Sequence, residues 1–214
     1  MSAGSGAIVG TSLVSLYEGI GPQDREDILG SLAHADGFAS RHYDQQQEYS
    51  NWIFRYQTRL QQRGWRFVNA IRHTPQVIFH PPELDSISYH VIDSAGSRAL
   101  AELAQAAWSA LRINRYAQTF FMTGNRNQEL GRLQMIPCML DASGEITLLV
   151  CCIRLTGTVD TRDFDFWTET RREMLLRITG GVYRFDPRVF AGYRDEIRRL
   201  LAGGADRAIR QFPI

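Results

Sequence analysis

Between Glu145 and Arg154 the chain runs Ile146, Thr147, Leu148, Leu149, Val150, Cys151, Cys152, Ile153, and only Thr147 in that run is polar. Side chains of a strand alternate between its two faces, so both faces of this strand must avoid water. It therefore belongs in the middle of a sheet. A sheet buried on both faces needs a layer above and a layer below, and the amphipathic helical segments on either side of this run are the material for them. The preceding strand, from Leu130, joins it as a hairpin through Asp141-Ala142-Ser143-Gly144, and Pro137 inside that strand predicts a bulge or an unpaired stretch.

The segments before the hairpin read as follows. Pro22 opens a helix with Asp24, Glu26 and Asp27 in its first turn, Ile28, Leu32 and Ala35 form its stripe, and Gly37 breaks it. A second helix from about Ser40 to Arg63 carries Tyr43, Tyr49, Ile53, Tyr56 and Leu60 on one face, with Trp52 beside them, and stops at Gly64. The short connection makes the two an antiparallel hairpin. Trp65 to Arg72, Val77 to Phe79 and Ile87 to Val91 read as strands, and Leu100, Leu103, Ala104, Ala107, Trp108 and Leu111 define a clear amphipathic helix. Arg115 to Thr123 reads as one more strand.

After the hairpin, Met174 to Ile178 and Val182 to Phe185 read as a strand pair turning at Gly180-Gly181. Asp186-Pro187 starts a helix that Gly203-Gly204 ends, and Ala205 to Phe212 reads as a short tail helix. These elements predict a single α+β domain over residues 22–214, in three layers, αβα, with a largely antiparallel sheet flanked by helix hairpins. The glycine- and serine-rich residues 1–21 read as a flexible N-terminal arm.

All 24 basic residues are arginine. Having no lysine, the chain has no Schiff-base, P-loop or kinase-type phosphate lysine. Either a GC-rich coding bias or the loss of ubiquitin acceptors in a protein delivered to a eukaryotic cell accounts for this. The net charge of +1 gives no bulk reason to expect nucleic acid. The start of the chain lacks a basic n-region and a sustained apolar run, which predicts cytoplasmic synthesis without a signal peptide, any release or delivery to a host cell using another route.

Motifs for chemistry are scarce. His34, His42, His73, His80 and His90 never fall at ligand-pair spacing, and Asp160, Asp163 and Asp165 lack the glycine and distal glutamate of a calcium loop, so no metal is expected. No nucleophile motif occurs, so no catalytic residue is assigned and the chain reads as non-enzymatic. An enzyme reading would need polar groups from the loops at 123–128 and 157–165 in a cleft. Cys151 and Cys152 point to opposite faces of their strand, which makes them core thiols or, in the sharper reading, acceptors for a fatty acyl chain. Arg194, Arg198, Arg199, Arg207 and Arg210 concentrate charge near the C-terminus, as a salt-bridged face or as a site for anionic headgroups or a partner.

The helix hairpin Pro22 to Arg63, the apolar strand Ile146 to Ile153 and the helix after Asp186-Pro187 resemble, in their order, the three-layer αβα fold shared by the Erwinia virulence factor and the cytolytic Cyt toxins. The resemblance is one of architecture and rests on no diagnostic motif. It implies a bacterial virulence or toxin-like protein that acts on membranes, with lipid held between helices and sheet and no cofactor beyond a fatty acyl group. The virulence factor's palmitoylated cysteine implies Cys151 or Cys152 as the nearest counterpart. The rival reading is a soluble interaction or assembly subunit, homo-oligomeric or with a protein partner, that binds no lipid.

Overall fold

In a computed structural model the chain is described at residues 4–45, 47–79, 81–113, 132–156, 174–203 and 209–214. The apolar run is strand β6 (Ile146–Thr156), between β5 (Arg132–Leu140) and β7 (Met174–Phe185), and it pairs antiparallel with β7 from Ile146 opposite Phe185 to Thr156 opposite Leu175. Leu149, Cys151, Ile153 and Leu155 point to one apolar cluster, and Leu148, Val150 and Cys152 to another. Each fully buried Leu, Ile or Val contributes roughly 1.5–3 kcal/mol, which is what forces a helical layer onto each side.

The first layer is α1 (Pro22–Ser40) and α2 (Tyr49–Gln61), joined near the C-terminus by α5 (Pro187–Ala191) and α6 (Arg194–Ala202). The second is α3 (Pro81–Ala95) and α4 (Arg98–Ile113). The sheet between them adds β1 (Ser5–Val9), β2 (Ser12–Leu16), β3 (Trp65–Ala70), β4 (Gln76–Ile78) and β8 (Arg210–Pro213), in the order β3-β7-β6-β5-β2-β1-β8 with β4 also on β7. Among the described pairings only β2 with β5 is parallel. The domain is α+β, three layers, with a mainly antiparallel sheet.

Several local expectations are corrected. Residues 5–16 are a buried hairpin rather than an arm: Ile8 and Leu13 pack toward α3–α4, Ala7, Val9, Val14 and Leu16 toward α1–α2. Its glycines serve the sheet. Gly10, at φ +59°, makes the turn, and a Cβ on Gly6 would sit 2.5 Å from the Phe212 ring of β8. Arg25 then fastens the exit of the hairpin, donating to Ile20 O (2.8 Å), Tyr17 O (3.0 Å), Glu18 O (2.8 Å) and Ser5 Oγ (2.9 Å).

α1 continues through Gly37, whose helix cost of about 1 kcal/mol is outweighed by burial against its neighbours, and α2 starts only at Tyr49. The stretch Ile87 to Val91 is helical, because Leu84, Ser88, Val91 and Ile92 recur at helical spacing toward the core. β7 runs unbroken through Gly180-Gly181. At Gly180 (φ +142°) a Cβ would lie 1.8 Å from Val150 O, so glycine there permits the close approach of β6 and makes no turn. Pro137 faces β2, and the β5–β6 register is the same on both sides of it, so an unpaired stretch is present and a bulge is not. Residues 210–213 are a strand on β1, not the end of a tail helix. The strand expected at 115–123 and the loops at 123–128 and 157–165 lie outside the described residues.

Candidate functional site

The two thiols on β6 face opposite layers, Cys151 toward α3–α4 and Cys152 toward α1–α2, and are 0% and 1% exposed. Burial pushes the Cys151 thiol well up from its ordinary range, and it pushes Cys152 up to about 12. Cys138 is buried and shifted up by the same cause. A thiol held protonated and out of contact with water is a weak nucleophile.

The C-terminal arginines are largely committed to the fold. Arg194 grips the buried Asp27 carboxylate with Nε 2.8 Å and Nη2 2.6 Å from its two oxygens, Arg198 pairs with Glu26 at 3.1 Å, and Arg199 Nε donates to Asp195 O at 3.3 Å. Arg194 and Arg198 therefore dock α6 on α1. Arg210 also has a partner. Arg207 lies outside the described residues.

A different span gathers positive charge. From Tyr49 to Phe79, the span of α2, β3 and β4, the chain carries Arg55, Arg59, Arg63, Arg66 and Arg72 and no Asp or Glu. Of the seven large apolar side chains exposed among the described residues, five fall in this span: Phe54 at 70%, and Phe67, Val68, Val77 and Phe79 at 44–51%. The last four follow the margin of the sheet, where β3 and β4 both pair with β7. Ile78 is buried toward α3–α4, so alternation turns Val77 and Phe79 to the other face.

The arginines of α2 are arranged rather than loose. Arg55 and Arg59 lie 5.0 and 4.2 Å over the Phe38 ring of α1, a cation–π geometry, while Arg63 lies 4.2 Å over Tyr193 and 3.7 Å from Glu196. Arg59 Nε donates to His34 Nε2 at 3.0 Å. Burial, with Arg59 and Arg63 beside it, lowers the His34 pKa to about 4, so the ring is neutral and acts as an acceptor. Arg66 and Arg72 are exposed and make no ion pair among the described residues.

Two open clefts border this span. One, of about 650 Å³, lies between the β3–β4 connection and α3 and is lined by Arg72, His73, Thr74, Ser86 and His90 among others. The other, of about 380 Å³, lies between α2 and the β6–β7 ladder and contains Arg154 and Arg177. Neither includes a thiol among its described lining residues. No group of three metal-binding side chains occurs among the described residues, and no described helix is long and apolar enough to cross a membrane.

Sequence reading fastened on the C-terminal arginines and passed over α2–β4. The available signal was the acid-free run from Tyr49 to Pro82, with exposed aromatics interleaved among its arginines. The fold and surface define an α+β sandwich with a basic, aromatic margin. No protein-family model and no curated protein matches the chain.

Proposed function

We propose that this protein is a non-enzymatic, lipid-interacting protein of the virulence or toxin-like kind that its architecture resembles, and that it meets anionic membrane surfaces through the α2–β4 span. The observation that carries the reading is the coincidence of five arginines, no acidic residue and five exposed large apolar side chains in one stretch. Arginine draws the protein to anionic headgroups, each basic residue near the surface adding about 1 kcal/mol. Phenylalanine and valine side chains at the sheet margin then enter the headgroup and acyl boundary.

A narrower form of the proposal places a fatty acyl chain on Cys151 or Cys152. Both thiols are enclosed by packed side chains, so acylation requires one helical layer to part from β6. Intact mass decides it. For the surface reading, flotation with phosphatidylglycerol and with phosphatidylcholine vesicles is the test: binding to the anionic vesicles only, weakened by salt, supports it, and absence of binding at low salt rejects it.

The rival reading, a protein-interaction subunit, is favoured by one feature. β3 pairs only with β7 among the described strands, and a sheet edge flanked by Phe67 and Val68 suits an added strand. A concentration-dependent oligomer that forms without lipid and is abolished by Val68→Pro would favour it.

A further inference from the structure

We infer that the cleft between α2 and the β6–β7 ladder is a specific oxyanion site, built to take the phosphate of a phosphomonoester. It goes beyond a diffuse attraction to anionic surfaces. Arg154 of β6 stands directly opposite Arg177 of β7, so two arginines hold register across adjacent strands. Like charges directly opposite one another on a sheet are destabilising. An anion bound between them relieves that repulsion.

The surroundings fit one. Among the described residues Arg154 and Arg177 make no ion pair, and the Arg154 Nε–H is shut off from water without an acceptor. No acidic side chain among the described residues lines the cleft, whereas Ser50, Gln57 and Thr179 bring neutral donors to it. The Tyr49 ring lies 5.8 Å from the Arg154 guanidinium and holds that side chain against α2. Two guanidinium forks with hydroxyl and amide donors match the several acceptor oxygens of a tetrahedral phosphate better than the two of a carboxylate. The volume of about 380 Å³ exceeds a bare phosphate, and Ile53 and Ile71 provide an apolar wall for an organic remainder.

The phosphate can arrive on a free metabolite or on a lipid headgroup, and two probes separate these sources. Glycerol 3-phosphate is titrated against the full chain at matched ionic strength with chloride as control, and vesicles containing phosphatidic acid are floated beside it. Arg177 is exposed, so Arg177→Gln folds, and removing one of two facing charges leaves its melting temperature in phosphate-free buffer equal to or above that of the parent. A charge-assisted contact predicts binding at least about tenfold weaker in Arg177→Gln, with Arg154→Gln weaker still.

Loss in the glycerol 3-phosphate arm assigns a free phosphomonoester, and loss in the vesicle arm alone assigns a lipid phosphate. Equal binding by parent and Arg177→Gln in both arms, or no binding by the parent in either, overturns the site. The surface reading is scored separately, on phosphatidylglycerol with Arg66 and Arg72 replaced.

Discussion

His34 makes the join between α1 and α2 sensitive to acid. The ring is 4% exposed and its Nε2 accepts from Arg59 Nε, so protonation would set two donors against each other next to a guanidinium. The folded-state pKa of about 4 lies below the ordinary 6.5. Between those values the unfolded chain binds a proton that the folded chain does not, so stability is complete above pH 6.5 and falls as pH drops toward 4. At about 1.4 kcal/mol for each pH unit the ceiling is about 3 kcal/mol, and lowering the pH from about 7 to about 4.5 costs about 2 kcal/mol. His34→Gln keeps an acceptor for Arg59 and removes the titration. Urea unfolding of parent and variant at about pH 7, 5.5 and 4.5 isolates the effect, because other carboxylates and histidines cancel in the difference. The parent should lose about 2 kcal/mol relative to the variant at the acid end. A difference that stays flat, or that favours the parent at low pH, would refute the reasoning.

Three further outcomes are expected. Gly180→Ala drives a Cβ into Val150 O at a backbone angle that side chains rarely adopt, and should cost about 3 kcal/mol in chemical unfolding; a variant as stable as the parent would show that β6 and β7 are not so closely apposed. The three cysteines should resist iodoacetamide in the native protein at about pH 8 and all react in denaturant, with fast native labelling of Cys151 or Cys152 contradicting the enclosed strand. Replacing Arg66 and Arg72 together by Gln should weaken partitioning onto phosphatidylglycerol vesicles by about 2 kcal/mol, or roughly 30-fold; unchanged partitioning would remove these two from the contact surface.

The centre of the fold was legible because an unbroken apolar run has one stable place, the middle of a covered sheet. Ile146 to Ile153 sits there, with the helix hairpins on its two sides. The N-terminal hairpin was not legible, since Ser5, Gly6 and Ala7 are small enough to imitate a linker while the room they leave is filled by Phe212 from the other end of the chain. α3 was misread because Ile87, Tyr89 and Val91 alternate as a strand would, although the positions that reach the core recur at helical spacing. Gly180 imitates a turn for a related reason: a glycine demanded by a neighbouring backbone carries no mark of its own. Charge was legible only as content. Nothing local in Arg194 tells that Asp27 waits 167 residues away, and the register that aligns Arg154 with Arg177 exists only once β6 and β7 have paired.

Hydrogen exchange of the vesicle-bound protein tests the central functional claim most directly. On phosphatidylglycerol vesicles the account predicts slower exchange at the outward amides of the edge strand β3 and through the β3–β4 connection, residues 66–79, with the β1–β2 hairpin unchanged. Protection confined to α6 and β8, or no change anywhere in a protein that floats with the vesicles, would contradict it.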